Sequence, residues 1–585
     1  MQADHELQLA AAAELAKALS AAVKRRAAEP EVAQLRVRLR GAWVAVLFGD
    51  WELASRRGVE TQIWRVLFHR VIEELREKIR KCKSAASKAS GGQQASAALG
   101  AFLSEASAFY EGLLQRLAGA FGLELGNLSV SGVCSARPLS SPRLAAAPWP
   151  AGYASCHRCL ICLGDLARYS AMLAPGRKDY STASLLYQHA AWLMPDSGNP
   201  HNQLAVLATY SSDTLGAAVA YVRSVLSVQP FETAPDNLAL LFDRNRKELD
   251  ALGPNKASAA GSYEHVVSRF TTRFMRAHGV LHSRGAGLDG LDALVDSIVQ
   301  DMRFLVQRGA LGENTLLKLL TLNISTTFQV SVAAVATDSS PVEDSGTELH
   351  CAAFALACRT FGVAVEWALG QNLAIGEPPP LMRFLGLFID WLAHDGVTYM
   401  DAAVFASLEW LGVAPAVASV LAANDAVAVP RHASELAMAD GSRRALPEDF
   451  ALQGFAPLTN THAELCFEPY SAELARAMQD GGADASSGAW VARLQAVSGA
   501  AIYGGTLSGN GGLVIDGDTV RVLPPKASMP VEEPQHDDVF LDEGEVIEGE
   551  VILFQPESVR AAAASAAEHG PQSMLVEQHV RPFGV

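Results

Sequence analysis

Apolar residues recur at three- and four-residue intervals through 43–48, 63–79 and 97–121, with Glu, Arg and Lys filling the positions between. In an α-helix that spacing gathers the apolar side chains on one face, so the pattern predicts amphipathic helices packed as antiparallel neighbours. The segments 84–96 and 129–153 break the pattern with Ser, Pro and Gly and read as loops.

From 163 to 230 the pattern repeats. A 34-residue tetratricopeptide unit needs small residues where its two helices cross, large ones in the gaps, and a proline after the second helix. Ala183, Tyr187, Ala190 and Pro195 match the second half of such a unit, and 34 residues on stand Ala217, Tyr221, Ser224 and Gln229, followed by Pro230. Leu204-Ala205 takes the Leu-Gly position of the second unit, while Leu163-Gly164 lies seven residues early, an offset that 172–178 absorbs as an inter-helix loop.

Helical spacing continues through 263–278, 288–308, 350–370 and 381–393, with Pro378-Pro379-Pro380 separating the last two. After Leu446 the texture changes. Short apolar runs at 513–515 and 520–523 flank Asp516-Gly517-Asp518, a hairpin signal. The expected organisation is an all-α chain in three parts: a helical layer with tetratricopeptide-like repeats (1–245), a second helical domain (246–500), and a Gly-rich hairpin segment with a partly disordered acidic tail (501–585).

Charge and cysteine usage narrow the function. A formal charge of −16 argues against a chain that coats nucleic acid through its overall field, though local basic patches remain open. Eight cysteines in 585 residues, behind a start with no charged-then-apolar leader, point to a reducing intracellular compartment. No run of about 18 apolar residues predicts a membrane span.

The stretch from Cys156 to Tyr169, CHRCLICLGDLARY, is the richest in chemistry. As a helix it places Cys156, Cys159 and Cys162 on one face with Leu160, Leu163, Leu166 and Ala167, and puts His157, Arg158, Asp165 and Arg168 opposite with Tyr169 at the edge. Cys156 and Cys162 would stand about 9 Å apart along such a helix, whereas thiolates on one zinc approach within about 4 Å of each other. The cysteines therefore read as small core side chains, and no metal site or cofactor is expected. On the other face, an arginine followed by a tyrosine offers a fork of donors and a hydroxyl suited to a phosphate. The competing reading pairs Arg168 with Asp165, three residues back, on a solvated helix face.

Four strings, CLICLGDLARY (159–169), YQHAAWLMPDSGNPHNQLAVLATY (187–210), AYVRSVLSVQPFETAPDNLALLF (220–242) and LPEDFALQGFAPL (446–458), resemble the Est-one/SMG-seven family of nonsense-mediated mRNA decay adaptors, which has a telomerase-associated branch. The resemblance runs in order over about 40–460. It implies a 14-3-3-like N-terminal domain, then a C-terminal domain of HEAT-like helical hairpins. It implies a non-enzymatic adaptor whose concave face binds a phosphorylated Upf-one-type RNA helicase and links it to mRNA decay factors, in cytoplasm and nucleus. Arg168 matches the family's phosphate-contacting arginine, and Tyr169 follows it as in 14-3-3 proteins. The second anchor is a basic residue five after a tryptophan. Here Trp64 leads to His69, with Arg70 next, so a neutral imidazole weakens the site at pH 7 unless Arg70 swings in or His69 is protonated. Asn202 is the candidate for holding peptide backbone, or else for bridging neighbouring helices. Ala108, Phe109 and Tyr110 form a candidate interface with a family paralogue, against the plainer reading that aromatic residues at helical spacing are core.

Two other functions compete. Some relatives end in a PIN ribonuclease, whose chemistry gathers carboxylates from separate strand ends on divalent metal. The nine acidic residues of 531–550 lie in one tail and cannot converge that way, and Gly504 to Gly512 lacks the Lys-Ser/Thr of a nucleotide loop. No catalytic residue is assigned. The alternative of a telomerase-associated factor, binding telomerase RNA or DNA, uses the same helical scaffold.

Overall fold

The computed structural model describes residues 2–84, 89–122, 151–256, 263–283, 288–336, 343–370, 381–392, 443–444, 449, 452–463, 465–466, 512–516 and 519–523. Two long helices, α1 (Gln2–Lys24) and α2 (Glu29–Gly49), pack as a hairpin. Asp50 then accepts a hydrogen bond from the Leu53 N–H at 2.9 Å and starts α3 (Trp51–Arg56). Next come α4 (Val59–Gln62), a π-helical turn (Ile63–His69) and α5 (Arg70–Ser84), which run on as one rod. The rod packs on α6 (Ala89–Phe121), α6 on α7 (Ala151–Leu173), and α7 on α8 (Ser181–Leu193).

Most of the stretch 84–96 expected as a loop is helical, because α6 already starts at Ala89. Gly91 and Gly92 stay helical there since α5 comes close: a Cβ on Gly92 would lie 3.3 Å from the Cys82 Cβ. Tertiary packing overrides the loop-like composition.

The repeat folds as read. Between α7 and α8 the chain turns over 174–180, and α9 (Asn199–Tyr210) and α10 (Thr214–Val225) form the next pair. Ala183, Tyr187, Ala190, Ala217, Tyr221 and Ser224 are all buried. Gly164 supplies the close crossing, since any Cβ there would sit 2.4 Å from the Tyr187 ring.

A second core builds on α10 and α11 (Ala234–Lys256), then α12 (Tyr263–His282), α13 (Leu291–Gln307), α14 (Glu313–Ala336), α15 (Glu343–Gly370) and α16 (Leu381–Trp391). Its centre holds Phe270, Phe274, Phe354, Phe361, Phe384, Phe388 and Trp391, each fully buried. Burial of one such side chain is worth about 1.5–3 kcal/mol. The boundary expected at 245 falls inside α11, and no seam in the packing marks it. The core runs from Ala205 to Leu458, while Leu207, two residues along α9, belongs to the first core. Lys318 also reaches Asp213 at 2.8 Å, tying α14 to the cap of α10.

The segment 452–463 returns to the repeat. Its 3-10 turn (Ala456–Leu458) leads into α17 (Thr459–Ala463). The Ala456 N–H donates to the Leu226 carbonyl at 2.8 Å and the Arg223 guanidinium donates to the Gln453 carbonyl at 3.3 Å. A two-residue parallel pair, β1 (Arg443–Arg444) with β2 (Leu465–Cys466), flanks this strap. The expected hairpin is present as β3 (Gly512–Asp516) antiparallel to β4 (Thr519–Leu523). The acidic run 531–550 lies outside the described residues. No described helix is long and apolar enough to cross a membrane.

Candidate functional site

A groove of about 520 Å³ opens between the rod of α4 and α5 and the repeat helices. One wall carries Thr61, Trp64, Arg65 and His69; the floor is the α7 stripe Arg158, Ile161, Cys162, Asp165, Arg168 and Tyr169. Periodicity puts Arg158, Asp165, Arg168 and Tyr169 on one side of the helix, while Cys162, expected on the core face with Cys156 and Cys159, lines the edge of that stripe and stays buried. The far wall comes from α9, α10 and the start of α11 and is rich in amides and hydroxyls, among them Asn199, Asn202, Gln203, Thr233 and Asn237.

Arg168 sits in a buried network. Its Nη2 donates to Asp165 Oδ1 at 2.7 Å, its Nε donates to the Tyr187 hydroxyl at 3.3 Å, and that hydroxyl donates to the same Asp165 oxygen at 2.7 Å. The ion pair with Asp165 exists, but it is not solvated: the two side chains are 5% and 12% exposed. A guanidinium has five N–H donors, so two bonds hold its plane and leave the outer edge for an acceptor. Tyr169 lies under it, with the guanidinium carbons of Arg168 and Arg76 at 4.5 and 4.8 Å from its ring centroid. Burial pushes the Tyr169 phenol up to about 12, so it stays a donor at neutral pH.

Further along the floor, Arg158 donates to Glu60 Oε2 at 2.9 Å. Glu60 is 8% exposed and its other oxygen has no partner. Asn202 bridges helices, its Oδ1 accepting from Asn237 Nδ2 at 3.3 Å, while both residues line the groove.

Arg70 is not in the groove. It lies on the outer side of α5, bonded to Glu74 at 3.2 Å, beside a small cleft against α1 lined by Ala16, Leu19 and Val23. The expectation that it replaces His69 is corrected by geometry: consecutive helical residues point about 100° apart. His69 itself does reach the groove. In an α-helix residues five apart point about 140° apart, yet the Trp64 and His69 rings stand 5.9 Å from each other. The π-helical turn accounts for this, with the Arg70 N–H bonded to the Arg65 carbonyl five residues back. The same turn presents Arg65, which the sequence reading missed. Apolar spacing carries no sign of a π turn.

The three cysteines of α7 are buried, and burial pushes the Cys156 thiol up to about 12, with the Glu60 carboxylate reinforcing it. Cys159 and Cys162 are raised further, chiefly by burial. Among the described residues no three His, Cys, Asp or Glu side chains gather as metal ligands do. Of the candidate interface residues on α6, Ala108 is exposed and Phe109 half-buried, stacked on Phe68 at 5.2 Å. Tyr110 is core instead, 3% exposed between Trp64 and Phe68, because it falls on the inward face of α6.

Comparison with known proteins places this architecture. The family model for the telomerase activating protein Est1 matches residues 58–174, and that for the Est1 DNA/RNA binding domain matches 183–462. The nonsense-mediated mRNA decay factor SMG7 of Arabidopsis thaliana is 30% identical over 333 residues, which is 49% of this chain and 31% of the relative. The telomerase-binding protein EST1A of Danio rerio is 26% identical over 385 residues, 56% of this chain and 24% of the relative. The chain thus spans a third or less of the length of these relatives. A crystal structure of Est1 and Cdc13 shares the fold, with a TM-score of 0.56 at 12% identity over 83% of this chain and 95% of that one. Two adjoining models of one family take in more than half of the sequence, in the order in which the two helical cores are built, and the chain belongs to the Est1/SMG7 family.

Proposed function

We propose that the chain is a non-catalytic adaptor of nonsense-mediated mRNA decay that holds a phosphorylated segment of an Upf-one-type RNA helicase in the groove between α4–α5 and α7–α11. One observation carries the reading: Arg168, 4% exposed and fixed by Asp165 and Tyr187, presents a guanidinium edge to an open groove with Arg65, Arg158 and His69 around it. A phosphate brings about −1.5 to −2 charges and three acceptor oxygens, which a fixed fork of donors meets without losing side-chain freedom. The amides of Asn199, Asn202, Gln203 and Asn237 along the far wall suit the polar backbone of an extended peptide. The similarity to SMG7 and its relatives supports the pathway, and localisation to cytoplasm and nucleus follows from the same reading. Exposed Ala108 with half-buried Phe109 on α6 is the proposed contact for a paralogue.

Calorimetric titration of matched phosphorylated and unphosphorylated helicase peptides tests the site. Wild type should favour the phosphorylated form at least about tenfold, and Arg168→Lys, which keeps the charge but not the fork, should lose most of that preference with its melting temperature checked. Equal affinity for the two peptides removes the reading. The telomerase-associated alternative is supported by the EST1A similarity, and recovery of telomerase RNA rather than the helicase on affinity isolation would select it.

A further inference from the structure

Arg158 lines the groove from the same helix as Arg168, ten residues earlier in the chain. It is fixed in a similar way: a buried carboxylate, here Glu60 of α4, accepts from its Nη1 at 2.9 Å. The two partners are unequally placed, with Glu60 8% exposed and Arg158 41%. Glu60 lies on the inner side, where its charge adds to burial in raising the Cys156 thiol, so the guanidinium is the part of the pair that meets the groove. A buried carboxylate paired with a guanidinium adds little stability over apolar side chains of the same volume, because taking charge out of water offsets the attraction. What the pair provides is an arginine whose plane is set and whose remaining N–H donors are left for an acceptor.

Resting on the phosphopeptide reading above, we infer that Arg158 forms a specificity subsite of the groove, selecting an Asp or Glu side chain four or five residues from the phosphorylated residue of the same peptide. The spacing follows from geometry. Ten residues of α-helix rise about 15 Å, and an extended chain advances about 3.3 Å per residue. A peptide whose phosphate sits at Arg168 and whose backbone runs along the α7 floor therefore passes Arg158 with its fourth or fifth neighbour. The lining sets the sign: the basic side chains Arg65, His69, Arg158 and Arg168 stand against the acidic Asp165 and Glu232, so a carboxylate gains there and an ammonium loses. A carboxylate also matches the planar fork in shape. At a guanidinium that is 41% exposed it keeps water on its outer face, so it enters without full desolvation. Glu60 is a positioning residue that touches the peptide only through Arg158.

The test titrates the full chain by calorimetry with phosphoserine peptides of one parent helicase sequence. They differ at a single position, Glu against Gln, set four or five residues before the phosphoserine, four or five after it, or about ten away as a control for bulk charge. Wild type should bind one of the near Glu peptides at least about threefold more tightly than its Gln twin and show no such gain for the distant Glu. Arg158→Gln combined with Glu60→Gln removes both charges together and strands neither, and it should lose the gain. The readout is the ratio of Glu to Gln affinity within each protein, so a general weakening cancels. No gain in wild type at any near position, an equal gain at the distant one, or a gain that persists in the double variant overturns the inference and leaves the phosphopeptide site standing. Equal affinity of wild type for phosphorylated and unphosphorylated peptide overturns both. Should the double variant melt early, Arg158→Lys decides, since it keeps the charge without the fork: a gain as large as that of wild type counts against Arg158, and a smaller one supports it.

Discussion

Asp165 holds the Arg168 guanidinium in place. Its Oδ1 takes hydrogen bonds from both Arg168 and Tyr187, at 2.7 Å each, in surroundings that water hardly reaches. Replacement by Asn keeps an acceptor but removes the charge opposite a buried guanidinium, and breaking such a pair costs about 3–5 kcal/mol when nothing substitutes for it. Asp165→Asn should therefore melt well below wild type. A bound phosphate restores a negative charge beside Arg168, so saturating phosphopeptide should raise the melting temperature of Asp165→Asn by more than it raises that of wild type. Equal rises in the two proteins would mean that phosphate does not approach Arg168. The burial that makes this pair strong was not visible in the spacing of Asp165 and Arg168, which reads equally well as an exposed i, i+3 couple. Tyr187 is what differs: it closes over the pair from α8, and Gly164 lets it do so.

At the scale of elements, the strap 452–463 shows how one glycine fixes a long-range contact. Gly454 adopts φ +74°, and a Cβ there would stand 2.2 Å from the Pro195 carbonyl oxygen. The left-handed conformation costs a non-glycine residue roughly 1–2 kcal/mol before any clash is counted. Gly454→Ala should release the strap from α10, lowering stability in urea by at least about 2 kcal/mol and opening 452–463 to limited proteolysis. A variant as protease-resistant and as stable as wild type would show that the strap has another seat. The string LQGFAPL was legible as a family marker, but its target was not, since Gly454 and Pro195 are joined only by folding. The π turn is the same kind of case. It brings Trp64 and His69, five residues apart, to 5.9 Å between rings, a pairing that apolar spacing does not show.

For the whole molecule, the continuity of the second core predicts how the chain tolerates cutting. Leu238, Leu241 and Phe242 of α11 are buried together with Phe270 and Phe274 of α12, so a fragment ending at 245 exposes an apolar face meant for the second domain. It should aggregate or bind hydrophobic dye, whereas a fragment ending at 466, which keeps the strap, should stay monodisperse and melt cooperatively. A stable, monodisperse 1–245 fragment would place the seam where periodicity first suggested it. The helices, the repeat and the line of Arg158, Asp165, Arg168 and Tyr169 follow from the order of residues alone, because 3.6-residue periodicity is a local property that each helix carries wherever it packs. That Arg65 lines the groove and Arg70 does not, that Asp165 and Arg168 are shielded from water, and that α9 to α11 join two cores into one body appear first in the folded chain. Those outcomes depend on which face of one helix meets which face of another, and that choice is made by packing between residues far apart in the chain.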